Sequence, residues 1–148
     1  MIDARRALLT AHFRLSEFDS RDGALVPGRL EHDVRHWCEW IGEPLRASFG
    51  AVTIHSGYRT FARNELVGGA PRSVHLLRTP LPGGYAGSTS VAVAADVTCA
   101  KGSPAVWGSW FRGHCQAHAQ LGPRGRGGVG VYSGFVHLDT GPLRRWFG

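Results

Sequence analysis

VAVAADVTC, residues 91–99, is almost wholly apolar up to its last residues, with a single carboxylate, Asp96, set inside it. A short run of small and β-branched residues without alternation reads as a strand buried on both faces. The core is therefore expected to centre on this strand. Two other stretches read as strands. AVTIHSG at 51–57 alternates apolar with polar residues and runs into a turn at Ser56-Gly57, and GGVGVYSGFVHLDTG at 127–141 reads as two short strands around Tyr132-Ser133-Gly134, an antiparallel hairpin.

Helical periodicity appears twice. After Pro27, apolar residues fall at Leu30, Val34, Trp37, Ile41 and Leu45, and Gly50 ends the segment, which predicts a helix near 28–48. Ser103-Pro104 then caps a second segment, in which Val106, Trp107, Trp110, Phe111, Cys115, His118 and Leu121 share one face before Gly122-Pro123, a helix over 104–121. A shorter helix fits 60–67, closed by Gly68-Gly69, and residues 70–90 carry the prolines and glycines of a long loop. HFRLSEFDSRDG at 12–23 reads as an extended arm that docks Phe13, Leu15 and Phe18 on the body. The expected fold is α+β: a small, mostly antiparallel sheet with the helices near 28–48 and 104–121 packed outside it.

The 148 residues show no repeat and no linker, so one domain is expected over 1–148, with an N-terminal arm at 1–26 and a loop insertion at 77–90. A charged fraction of 19% with 21 glycines and eight prolines excludes a fibrous or long-helix protein. The formal charge of +6 suits an anionic polymer as partner. Its basic residues are scattered apart from short clusters at 124–126 and 144–145, and no lysine-rich tail or aromatic-basic motif points to nucleic acid. Three cysteines, Cys38, Cys99 and Cys115, are odd in number and irregular in spacing, which signals neither a disulfide framework nor a cysteine zinc knuckle. No stretch of signal-peptide or membrane-spanning character is present. The chain is expected to be made in the cytoplasm, without membrane insertion, and to need delivery if its target lies outside.

Three segments place polar side chains among glycine or apolar residues: SGYRT at 56–60, GGAPRSVHL at 68–76 with AADV at 94–97, and GVGVYSGFVHLD at 128–139. Singly, His75 reads as a loop histidine, Asp96 as a turn or cap aspartate and His137 as a half-buried strand histidine. Together they supply two imidazoles and one carboxylate, enough for a three-ligand zinc site with the fourth position left for water. The other histidine pairs are weaker. His32 and His36 lie beside Glu31 and Arg35 on the polar side of a helix, and His114 and His118 lack a glutamate after the first histidine, where Cys115 stands, so neither pair is expected to bind metal.

In this order the segments resemble the LAS group of zinc peptidases, and among them the bacterial and phage D-Ala-D-Ala carboxypeptidase-like proteins, over most of the chain. FRLSEF matches the group's F-x-x-S-E-F opening, Ser73, His75 and Asp96 match the fixed letters of S-x-H followed by A-A-D, and FVHLD supplies the last histidine. The resemblance implies a hedgehog/D-Ala-D-Ala peptidase-like fold, Zn2+ held by His75, Asp96 and His137, and hydrolysis of peptide bonds in peptidoglycan. It also implies that Arg59 lies in the cleft, where a guanidinium can hold a substrate carboxylate or an oxyanion; the alternative for Arg59 is a surface ion pair. Ser73 is expected beside the substrate.

Two positions depart from the group's pattern. The usual six residues between histidine and aspartate are twenty here, with LLRTPLPGGYAGSTS inserted, and Ala92 replaces the usual glycine. The acidic residue or histidine that commonly precedes the last ligand is replaced by Gly134 and Phe135. Asp139, on the same strand face as His137, is then expected either to act on the attacking water or, preferably, to orient His137. The ending FVHLD-T-G-x-x-R-x-W resembles cell-wall endopeptidases that also lack the usual base. Such a short chain suits a phage lysin or virion-associated protein, with other virion proteins as partners. The rival expectation is a cell-wall-binding phage virion or tail component with little or no catalysis.

Overall fold

The computed structural model describes residues 4–81, 90–117 and 126–148. His118, Leu121, Gly122-Pro123, residues 124–125 of the first basic cluster and most of the insertion lie outside them. The five-stranded sheet has the order β1-β4-β6-β5-β7, built from β1 (Val52–Ser56), β4 (Ala94–Cys99), β5 (Arg126–Val131), β6 (Val136–Pro142) and β7 (Arg144–Phe147). All neighbours pair antiparallel except β5 and β7, which are parallel. The α+β expectation therefore holds. A separate antiparallel pair, β2 (Pro80–Leu81) with β3 (Ser90–Val91), forms the stem of the insertion.

Strand β4 is the buried strand read from the sequence: residues Ala94, Ala95 and Val97 are fully buried, and Asp96 is 6% exposed. One face of the sheet, with Ala95, Val97, Val129, Val136 and Leu138, belongs to the main core together with Trp37, Ile41 and Phe111. The opposite face carries polar side chains. Phe13, Leu15 and Phe18 of the N-terminal arm are buried, as expected, and the helical structure among the arm's described residues is two 3-10 turns, Ala4–Arg6 and Leu15–Phe18. Arg21 fastens this arm by donating to the carbonyls of Ile54 and His55 at 2.8 and 3.0 Å.

The helix predicted near 28–48 is present but interrupted. A 3-10 turn (Gly28–Leu30) leads into α1 (Glu31–Trp37), a π-turn (Cys38–Gly42) follows, and α2 (Glu43–Phe49) completes it. Pro44 explains the interruption. It has no N–H to give the Trp40 carbonyl four residues back, and its ring would crowd that carbonyl. The Trp40 carbonyl accepts from His114 Nε2 at 2.7 Å. His114 lies on α4 (Pro104–Ala117) and stacks on Trp110 at 4.7 Å. His114 thus joins two helices. The short helix is α3 (Phe61–Leu66), capped by the Thr60 hydroxyl, which accepts from the Arg63 N–H.

All three cysteines are free, and burial pushes the Cys99 thiol up to about 11 and the Cys115 thiol up to about 12. They are inert packing residues, as their spacing suggested. No described helix is long and apolar enough to cross a membrane.

His114→Ala removes the hydrogen bond to Trp40 between the two helices, so unfolding in urea should show a loss of about 1 kcal/mol, while metal content stays unchanged.

Candidate metal centre

Strand register lays the centre out as a row across the polar face. Ser56 on β1 stands opposite Asp96 on β4, Asp96 opposite His137 on β6, His137 opposite Gly130 on β5, and Gly130 opposite Trp146 on β7. The next row runs Ala94, Asp139, Gly128, Arg144. His75 enters from outside the sheet on a 3-10 turn (Val74–Leu76), which the Ser73 hydroxyl caps by accepting from the His75 N–H at 3.2 Å. Ser73 thus supports His75 through its backbone. The turn ends at Leu77, whose φ of 54° is a left-handed conformation that leucine seldom adopts. The Arg59 N–H donates to the His75 carbonyl at 2.8 Å, tying SGYRT to the same turn.

His75 Nε2, His137 Nδ1 and Asp96 Oδ1 stand 3.1 Å apart on all three sides of a triangle. Their residues are 2%, 6% and 6% exposed. The far ring nitrogens fix the tautomers. His75 Nδ1 faces the Gly57 carbonyl at 2.7 Å and must donate to it, and His137 Nε2 donates to Asp139 Oδ2 at 2.6 Å. In the neutral rings Nε2 of His75 and Nδ1 of His137 are then lone pairs, turned with a carboxylate oxygen toward one point. Three acceptors so placed repel one another unless a positive charge lies among them. A tetrahedral zinc with bonds of about 2.0–2.2 Å spaces its ligand atoms roughly 3.3–3.6 Å apart, within a few tenths of an ångström of this triangle. Among the described residues this is the one cluster that could hold a metal ion.

The titration behaviour shows the same demand for positive charge. Burial alone would keep His137 neutral, but its hydrogen bonds to Asp139 and Asp96 raise it to about 9. His75 is lowered, chiefly by burial. Burial would raise Asp96, yet hydrogen bonds from His137 and His75 hold it well below the usual carboxylate range.

Asp139 is fully buried and has no oxygen to spare. Oδ2 accepts from His137 Nε2 and from Arg144 Nη2 at 2.9 Å, while Oδ1 accepts from the N–H groups of Gly141 and Gly128 at 2.8 and 3.1 Å and from Arg144 Nη1 at 3.4 Å. Arg59 also proves to be no surface ion pair. Its Nη2 donates to Asp96 Oδ2 at 3.2 Å, its Nε to Ser56 Oγ at 3.1 Å and its Nη1 to Asn64 Oδ1 at 3.4 Å. Of the five N–H groups of a guanidinium, one on each Nη keeps no acceptor among the described residues.

Sequence reading assigned no role to four contributors, of which Arg144 and Trp146 stood only as letters of the FVHLD-T-G-x-x-R-x-W ending. Arg144 grips Asp139, and the Trp146 ring lies 4.9 Å from that of His137 while its Nε1 donates to Tyr132 Oη at 2.8 Å. Gly128 and Gly130 make both contacts possible. A Cβ at Gly128 would collide with Asp139 and Arg144, and one at Gly130 with the Trp146 indole. The signal was present in the sequence as glycines at alternate positions of a strand, which mark close approach by other groups.

Gly128→Ala should therefore displace the Asp139–Arg144 pair. Zinc affinity, measured by competition with a chelator, should fall by roughly 10-fold or more, the scale set by losing a group that supports a metal ligand.

Comparison with known proteins bears on this geometry. No curated protein and no solved structure matches the chain. The family model for peptidase M15 matches residues 11–139, a span that begins in the arm, contains His75, Asp96 and His137 and ends on Asp139. Peptidases of that family depend on zinc, and the donor set found here suits that ion. The chain belongs to the peptidase M15 family.

Proposed function

We propose that this protein hydrolyses peptide bonds of bacterial peptidoglycan with zinc held by His75, Asp96 and His137, as a D-Ala-D-Ala carboxypeptidase or a cross-link endopeptidase. The observation that carries this reading is the buried triangle of three acceptors with Arg59 against one edge. Peptidoglycan as substrate is supported by the likeness of SGYRT, S-x-H with A-A-D, and FVHLD to cell-wall peptidases, and by a charge of +6 that suits an anionic envelope.

A zinc ion bound there supplies Lewis acidity toward the scissile carbonyl and the attacking water. The chain's own residues do the rest. Arg59 is held by Ser56, Asn64 and Asp96, so its two remaining N–H groups are fixed in direction before substrate arrives. They serve to hold a substrate carboxylate or the oxyanion that develops on the carbonyl. Asp139 keeps the His137 ring in one orientation and one tautomer. Ser73 fixes the turn that presents His75, and the substrate contact expected of it stands beside that role.

A second reading, a cell-wall-binding protein with little or no catalysis, such as a phage virion or tail component, has one observation in its favour. Asp139 is fully engaged in hydrogen bonds, and positions 134 and 135 hold Gly134 and Phe135, neither of which takes a proton. Under the first reading the protein is suited to action as a phage lysin or from a virion.

Metal content and release of D-alanine and of uncross-linked stems from purified cell wall, measured on the same samples, separate the two. Wild type should carry close to one zinc and cleave, while His75→Ala, Asp96→Ala and His137→Ala should lose both. Arg59→Ala should keep zinc and lose roughly 100- to 1000-fold in turnover, as removal of an oxyanion donor does. Asp139→Asn should lose roughly 10- to 100-fold. Zinc bound without any cleavage would favour the binding protein, and an Asp139→Asn variant as inactive as a ligand variant would make Asp139 the base.

A further inference from the structure

We propose that Arg144 is a positioning residue of the metal centre, acting on His137 from two sides through Asp139 and Trp146. The inference rests on the reading of His137 as a metal ligand. Arg144 Nη2 and Nη1 donate to the two oxygens of Asp139 at 2.9 and 3.4 Å, and Nη1 also donates to the Pro142 carbonyl at 3.0 Å. The guanidinium carbon lies 5.2 Å over the Trp146 ring. Two of the groups that Arg144 touches also touch His137: Asp139 by a 2.6 Å hydrogen bond and Trp146 by ring contact at 4.9 Å.

Charge gives the arrangement its purpose. A histidine that ligates a metal through Nδ1 is neutral, so His137 in that role brings no positive charge to Asp139. The carboxylate is fully buried, and its other ion-pair partner among the described residues is Arg144. Arg144 donates to both oxygens of this carboxylate, which holds its plane, and with it the Oδ2 that accepts from His137 Nε2, in one orientation. The fork geometry of a guanidinium suits the task, because it spans both oxygens while its flat face rests on an indole. Lysine could supply the charge but not the span.

Strand β7 brings this about through its alternation. Arg144 and Trp146 point to the face with the metal centre, whereas Arg145 lies over Phe147 with its guanidinium carbon 4.9 Å from that ring. Arg145 thus supplies a control of the same charge on the same strand.

The experiment compares wild type with Arg144→Ala, Arg144→Lys and Arg145→Ala in the full chain. Zinc affinity is measured by chelator competition, and the visible d–d bands of the cobalt(II)-loaded protein report ligand geometry. Arg144→Ala should bind zinc roughly 10-fold more weakly, the low end of the range for outer partners of metal ligands, with shifted cobalt bands. Arg144→Lys should fall between it and wild type. Because the Arg144 side chain is 39% exposed, guanidinium ion at low millimolar concentration should restore part of the affinity and the bands to Arg144→Ala. Arg145→Ala should match wild type. Unchanged affinity and cobalt bands in Arg144→Ala overturn the inference, and so does an equal loss in Arg145→Ala, which would mark a general fold defect. If wild type itself binds neither zinc nor cobalt, the metal-centre reading falls and takes the inference with it, an outcome distinct from the other two.

Discussion

The pairing of Asp96 with His137 across β4 and β6 is the constraint on which the rest of the structure depends. Side chains alternate along a strand, so a slip of one residue in that register would turn the carboxylate or the imidazole into the main core. The register is held by what lies on the reverse face. Ala95, Val97, Val136 and Leu138 are fully buried there, and Trp37 donates from its indole Nε1 to the Leu138 carbonyl at 3.0 Å. Leu138 lies between His137 and Asp139. The core helix therefore grips the backbone of the very strand that carries two groups of the centre, and the apolar face sets the polar one.

His75 faces a different problem, since it comes from a loop and has no strand register to place it. Its position is fixed by local hydrogen bonds: the Ser73 cap, the Arg59 N–H on its carbonyl and the Gly57 carbonyl on its ring. Gly57 also lies against Phe18 of the N-terminal arm, close enough that a side chain there would collide with it. The buried arm thereby supports the loop that presents His75. An arm rich in turn formers, which reads from the sequence as docked on the body, is part of the scaffold.

Much of this was legible in the sequence, and the limits have physical causes. Strand β4 was legible because a buried strand has no other way to be written than as a run of apolar residues, and His75, Asp96 and His137 because each stands nearly alone among apolar or glycine neighbours. The helix near 28–48 was legible by period, while its π-turn was not, because the period survives one extra residue and only Pro44 betrays the break. Strand β7 was missed altogether. Arg-Arg-Trp-Phe at 144–147 has no apolar alternation, and its strand character comes from pairing with β5, a contact between segments that the sequence of either one does not contain. Arg59 was placed in the cleft but not against Asp96, since a side chain of that length has many reachable partners.

The glycines of β5 show how the two rows of the centre depend on an absence. In a sheet, side chains on neighbouring strands normally stand side by side, and a group on β7 would be screened from β6 by whatever β5 carries between them. Gly128 and Gly130 carry nothing there. Arg144 and Trp146 can therefore lean across a whole strand to reach Asp139 and His137. Two glycines in a strand weaken it, because they lose more conformational entropy on ordering and pack no side chain. That weakness is offset by the parallel pairing with β7 and by Val129 and Val131, which carry β5's contacts with the main core. The same residues that would be faults in an ordinary strand let a buried carboxylate receive both donors of a guanidinium from two strands away.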